Sequence, residues 1–109
     1  MGVDISEDDF EKEVVQSAKP VLVYFHLPSC AKCATWNGVA ESLIKDTEEQ
    51  VKLVKINVAM NQDLAKKFHI LSAPSFLVFR SGTEAERFVG DRVNYEEMFL
   101  YFQNLTGTS

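Results

Sequence analysis

Hydrophobic positions along the chain fall into short runs and helical stripes separated by polar breaks. Ser6-Glu7-Asp8-Asp9 has the form of a capping box, with Ser6 as cap and an acid three residues on, and Phe10, Val14 and Ala18 follow at helical spacing. A first helix is expected to end before Pro20. Val21-Leu22-Val23-Tyr24-Phe25 is continuous instead of alternating, as a strand buried on both faces reads. From residue 30 to about 47, Trp36, Val39 or Ala40, Leu43 and Ile44 keep helical spacing. Gly38 interrupts that helix at a cost of about 1 kcal/mol relative to Ala and allows a bend. Residues 51–58 form a second strand pattern, so strand, helix and strand make a right-handed βαβ unit with parallel pairing.

Asn61 is placed to cap a short helix with Leu64, Ala65 and Phe68 on one face. Ala73-Pro74 then leads into the apolar run Phe76-Leu77-Val78-Phe79. Ser81-Gly82 reads as a hairpin turn, Arg87-Phe88-Val89 returns antiparallel, and Gly90 breaks that strand. Asn94 with Glu97 starts a last helix carrying Met98, Phe99, Phe102 and Leu105. The expected fold class is α/β, a sandwich with a small mixed sheet and helices on both faces.

Composition narrows the partners more than the fold. At 109 residues, 46% hydrophobic and 25% charged, the chain suits one domain that buries a core without disulfide staples, running over residues 1–109. Eleven basic against sixteen acidic residues give a net charge of −5, which repels phosphate backbones and anionic lipid. Nucleic acid and membranes are therefore poor partners, and no apolar run is long enough to span a bilayer. The first ten residues are acidic where a signal peptide would be basic and then apolar, so a cytoplasmic location is expected; a monomer is expected as well. The acidic groups around residues 7–13, Glu48-Glu49 and Glu96-Glu97 read as solvated helix faces. Trp36, Phe99 and Phe102 read as core, and Tyr95 and Tyr101 as solvent-edge residues.

The two cysteines stand three apart in Cys30-Ala31-Lys32-Cys33, after a strand and at the start of a helix. The first backbone N–H groups of a helix have no partner within it, and the positive end of its dipole lies there. A thiolate at Cys30 is thus favoured over a thiol by up to ~2 kcal/mol, and Lys32 adds a cation acting in the same direction. Cys30 is the expected nucleophile. Cys33, one turn inward on the same face, is its resolving partner. Three other readings of the pair stay open. A structural disulfide would gain little from so short a loop. A zinc site would have to draw on His26 and His69. Buried thiols without chemistry are the third.

Val21-Leu22-Val23-Tyr24-Phe25 before the paired cysteines, Lys55-Ile56-Asn57-Val58, Ala73-Pro74 before Phe76-Leu77-Val78-Phe79, Ser81-Gly82 and Gly90 together resemble the thioredoxin family in order and spacing, over nearly the whole chain. The resemblance implies a three-layer α/β/α sandwich around four or five strands. It also implies an attacking Cys30, a resolving Cys33, and a cis peptide before Pro74 with the Ala73 backbone exposed to pair with an extended substrate. No organic cofactor or metal is implied. Partners would be protein disulfides and an electron donor, either a thioredoxin reductase or a small thiol.

The departures from the family pattern bear on mechanism. Ser29-Cys30-Ala31-Lys32-Cys33 lacks the aromatic before the first cysteine and the proline between the two, and Lys32 is expected to make the pair more oxidising. Tyr24 stands where the family commonly has a buried acid, and a phenol is a poor base at neutral pH. His26, an imidazole two residues on, either takes over proton transfer or merely packs. Lys55 matches a family lysine beneath the site and is expected to lack its acidic partner. His69 reads as a surface residue, and Gly38 stands in place of a kinking proline. The resulting expectation is a thiol–disulfide oxidoreductase. The alternatives are a binding or scaffold module on the same fold, with little turnover, or a zinc-binding module.

Overall fold

A computed structural model describes residues 2–47, 50–89 and 93–106. The expectations for Glu48-Glu49 and Gly90 lie outside these residues. Five strands form one sheet in the order β1-β3-β2-β4-β5: β1 Val3–Asp4, β2 Val21–His26, β3 Lys52–Asn57, β4 Ser75–Arg80 and β5 Thr83–Val89. Strands β1, β3 and β2 run parallel, whereas β4 is antiparallel to both β2 and β5. The expected βαβ unit and hairpin are both present. Helices α2 (Ala31–Asp46) and α4 (Tyr95–Thr106) pack one face of the sheet, and α1 (Glu7–Phe10) and α3 (Gln62–Lys67) the other.

Residue alternation along the strands divides the core. Leu22, Tyr24, Leu53, Phe76 and Val78 meet Ala40, Leu43 and Ile44 of α2 and Met98 and Phe102 of α4. Val21, Val23, Phe25, Val54, Ile56, Leu77 and Phe79 meet Phe10, Val14, Leu64 and Ala65. Central β2 is buried over Val21 to Phe25, which is why its sequence does not alternate.

Several local expectations are corrected. Ser6 occupies the cap position of α1, but its side chain makes no cap bond, and neither does that of Asn61 at the start of α3. The two helices cap each other instead. Asn61 Oδ1 accepts from the Glu7 N–H at 3.0 Å, while Glu7 Oε1 accepts from the Leu64 N–H at 3.4 Å. After Phe10 the first helix widens into a π-type turn over Glu11–Val15, and Ala18 lies beyond it, exposed. His69 is exposed as expected, yet it has a defined backbone task. With φ 56° it closes α3, its N–H bonding Lys66 O and that of Ile70 bonding Ala65 O, a Schellman ending. Ser81 and Gly82, with φ 52° and 80°, make the tight hairpin turn, and Asn94 Oδ1 caps α4 by accepting from the Glu97 N–H.

Candidate active site

Strand β2 ends at His26, and the chain turns through Leu27, Pro28 and Ser29 to reach Cys30, the cap residue of α2. Cys30 Sγ accepts the Cys33 N–H at 3.0 Å, so a cap role usually taken by a side-chain oxygen falls to sulfur. Cys30 and Cys33 are joined as a disulfide with Cα atoms 5.2 Å apart. Cys33 is 6% exposed, whereas Cys30 is only partly covered. The sulfur with access to solvent is therefore the one at the helix end, where unpartnered N–H groups favour negative charge. Lys32 is solvent-exposed in the first turn of α2.

Tyr24, His26, Cys30 and Cys33 line one groove of about 250 Å³, together with Leu27, Pro28, Ala34 and Asn37. Tyr24 is 1% exposed, and its ring stacks on Phe76, its partner across β4, with centroids 4.8 Å apart and planes 10° apart. Its hydroxyl donates to the Cys33 carbonyl at 2.7 Å. Burial pushes the phenol up to about 12, so it is neutral and a donor throughout the physiological range. His26 leans on the Tyr24 ring and turns Nε2 to Asp4 Oδ1 of β1 at 3.2 Å.

Lys55 corrects an expectation, because it does have an acidic partner. Its ammonium lies 3.0 Å from Glu41 Oε2 of α2, and the Gly2 N–H reaches Oε1 of the same carboxylate at 2.9 Å. Burial raises the Glu41 carboxyl, but the Lys55 ammonium and the Gly2 N–H outweigh it and hold it below the ordinary value. Lys55 pairs with Tyr24 in the sheet register, so this ion pair lies on the same face as the phenol. Glu41 was missed in the sequence; its signal is the i, i+4, i+8 series Cys33, Asn37, Glu41, which places it at the edge of the helix face that meets the sheet.

Pro74 is buried after a cis peptide bond to Ala73. Ala73 packs against the same core cluster as Cys30, and the Ser75 hydroxyl donates to Ser72 O at 2.6 Å across this turn. The structure thus brings Cys30, Cys33, Tyr24 and His26 to one groove, with Ala73 against the core beneath it, Lys55 paired to Tyr24 on the sheet and Lys32 outside. His69 stands apart from it on the α3 ending. Among the described residues, no group of three or more His, Cys, Asp and Glu side chains could hold a metal ion. No described helix is long and apolar enough to cross a membrane.

Residues 2–100 match the family model for thioredoxin. A thioredoxin of Rickettsia bellii is 33% identical over 90 residues, covering 83% of this chain and 86% of its own. Thioredoxin 1 of Synechococcus elongatus is 33% identical over 86 residues, 79% of this chain and 80% of its own. The chain is also 30% identical, over 81% of its length, to 19% of a Mycobacterium leprae protein named bifunctional thioredoxin reductase/thioredoxin. The even coverage of the first two means that the likeness is to whole thioredoxins and not to a shared motif. The chain belongs to the thioredoxin family and is a protein thiol–disulfide oxidoreductase.

Proposed function

We propose that Cys30 is the attacking and Cys33 the resolving sulfur of a protein-disulfide reductase. The Cys30 thiolate attacks one sulfur of a substrate disulfide, forming a mixed disulfide and releasing the first substrate thiolate. The Cys33 thiolate then attacks Cys30 Sγ, closing the Cys30–Cys33 disulfide and releasing the second. Two electrons pass to the substrate, and the two cysteine protons end on its thiols. The carrying observation is the cap geometry, in which the Cys33 N–H points at Cys30 Sγ while Cys33 itself is covered.

In this reading the substrate is an extended protein segment pairing with the Ala73 backbone beside Pro74. Lys32 favours the thiolate, and no organic cofactor or metal takes part. A thioredoxin reductase returns the electrons, a pairing for which the name of the Mycobacterium leprae protein offers a precedent; a small thiol is the alternative donor. The protein would work as a cytoplasmic monomer.

Insulin reduction tests the roles. Cys30→Ser is expected to abolish turnover, and Cys33→Ser to accumulate a mixed disulfide through Cys30. Equal background rates for wild type and both variants would remove the assignment and leave the binding-module reading. Lys32→Ala is expected to give a lower reduction potential than the parent; an equal or higher one removes Lys32 from the site.

A further inference from the structure

Opening of the Cys30–Cys33 disulfide removes the covalent link that fixes one sulfur against the other. The Cys33 N–H bond to Cys30 Sγ cannot be relied on either, since that sulfur turns to the substrate in the mixed disulfide. A third tie involves neither sulfur and runs from Cys33 to the sheet. The Tyr24 hydroxyl donates to the Cys33 carbonyl at 2.7 Å, and the carbonyl, with two lone pairs, can still serve the helix ladder. The phenol end of this tie is rigid. Tyr24 sits in central β2, paired to Lys55 on one side and Phe76 on the other, and its ring is held between the Phe76 stack and His26.

We propose that Tyr24 is a positioning residue for the second half of the exchange. Its O–H holds the Cys33 end of the first α2 turn in line for attack on Cys30 once Cys30 carries substrate, acting as a neutral donor and not as a proton acceptor. This rests on the reading that Cys33 resolves the mixed disulfide. Attack between sulfurs requires close and aligned approach, and a residue pinned to the sheet supplies that alignment independently of the disulfide state. A phenol already giving its hydrogen to a carbonyl cannot take the Cys33 proton, which leaves through the groove to solvent or to the departing thiolate.

Tyr24→Phe deletes the hydroxyl and keeps the ring, so the test is clean. The fully reduced protein is mixed with an aryl disulfide that releases a coloured thiolate at each step, giving a rate for attack and a rate for resolution. Resolution is expected to slow by about five- to tenfold, the worth of one hydrogen bond, with attack unchanged. The pH midpoint of the resolution step should be the same in both proteins, because the phenol donates a hydrogen bond and carries no proton in that step. Phe76→Leu is the structural control: it loosens the ring stack while sparing the hydroxyl, and should lower the melting temperature more than Tyr24→Phe does while slowing resolution less.

An unchanged resolution rate in Tyr24→Phe overturns the proposal. So does an equal slowing of both steps, or slowing that follows the melting temperature across the two variants, either of which would mark Tyr24 as merely structural. A shifted midpoint would make the phenol a proton carrier and also overturn it. Release of the second thiolate by Cys33→Ser at the wild-type rate is a separate failure, that of the resolving role itself.

Discussion

The two faces of the sheet are built from alternate residues of the same strands, yet they differ in kind. The face under α1 and α3 centres on an apolar cluster, with Phe10, Phe68 and Phe79 in a triangle of centroids 5.3 to 5.5 Å apart. The face under α2 and α4 admits the Tyr24 hydroxyl and the Lys55 ammonium into similar surroundings. Each of these polar groups has a partner on α2: the Cys33 carbonyl for one, Glu41 for the other. Burying a polar atom is costly unless it is paired, and both of these are paired to the helix that carries the cysteines. The other face has ties of its own, Lys52 to Glu13 at 2.7 Å and Arg87 to the Phe68 carbonyl at 2.9 Å, but none of them reaches the helix of the cysteines. The helix that carries the cysteines is tied to the sheet at two defined points.

The largest expected effect breaks the apolar face. Phe79 is 3% exposed and meets both Phe10 and Phe68 edge-on, so Phe79→Ala should cost about 3–5 kcal/mol in urea unfolding. The folded fraction should keep its attack and resolution rates. Altered chemistry in this variant would mean that the faces are coupled through the sheet and that the contrast between them is only compositional.

The site face is probed next through Glu41. Its carboxyl titrates below the ordinary value of 4.5, so the stability it brings is present above that value and is lost as pH falls through the lower folded one. At neutral pH, Glu41→Gln should cost on the order of 1 kcal/mol, the upper end for a half-exposed pair, with the gap to wild type closing in melts taken at progressively lower pH. A gap that persists in acid would mean that the side chain acts through packing. The alkaline side belongs to Tyr24. Its raised phenol leaves stability intact below about 10 and erodes it by about 1.4 kcal/mol per pH unit between there and 12, a slope that Tyr24→Phe should remove.

What the sequence made legible follows from the range of each signal. The Val21 to Phe25 run, the cysteines at a helix start, the Ser81-Gly82 turn and the Asn94 cap depend on neighbours within a few residues, and all four are found. The Lys55–Glu41 pair joins positions 14 apart, and the exchanged caps between Glu7, Asn61 and Leu64 join positions 54 and 57 apart. No local pattern announces such contacts. Strand β1 escaped for another reason. Two residues are too few to show a period, and only the pairing of Val3 with Val54 reveals it. Tyr24 was legible as a departure from the family acid, but its donor role needed the position of the Cys33 carbonyl.

The smallest effect sharpens the contrast from the helix side. Gly38 lies inside α2, and a Cβ built there meets nothing within 4 Å. Gly38→Ala should therefore stabilise the protein by about 0.5–1 kcal/mol, through the lower entropy of the unfolded chain and better helix propensity. That corresponds to a rise in melting temperature of about 2–8 °C in a domain of this size. If the tie at Tyr24 positions Cys33, stiffening the helix a turn beyond should leave the resolution rate unchanged, since the sheet and not the helix interior sets the sulfur's place. A resolution rate that changes with Gly38→Ala while Tyr24→Phe is silent would shift the control from the sheet face to flexibility within α2, and the two faces would then differ in composition but not in function.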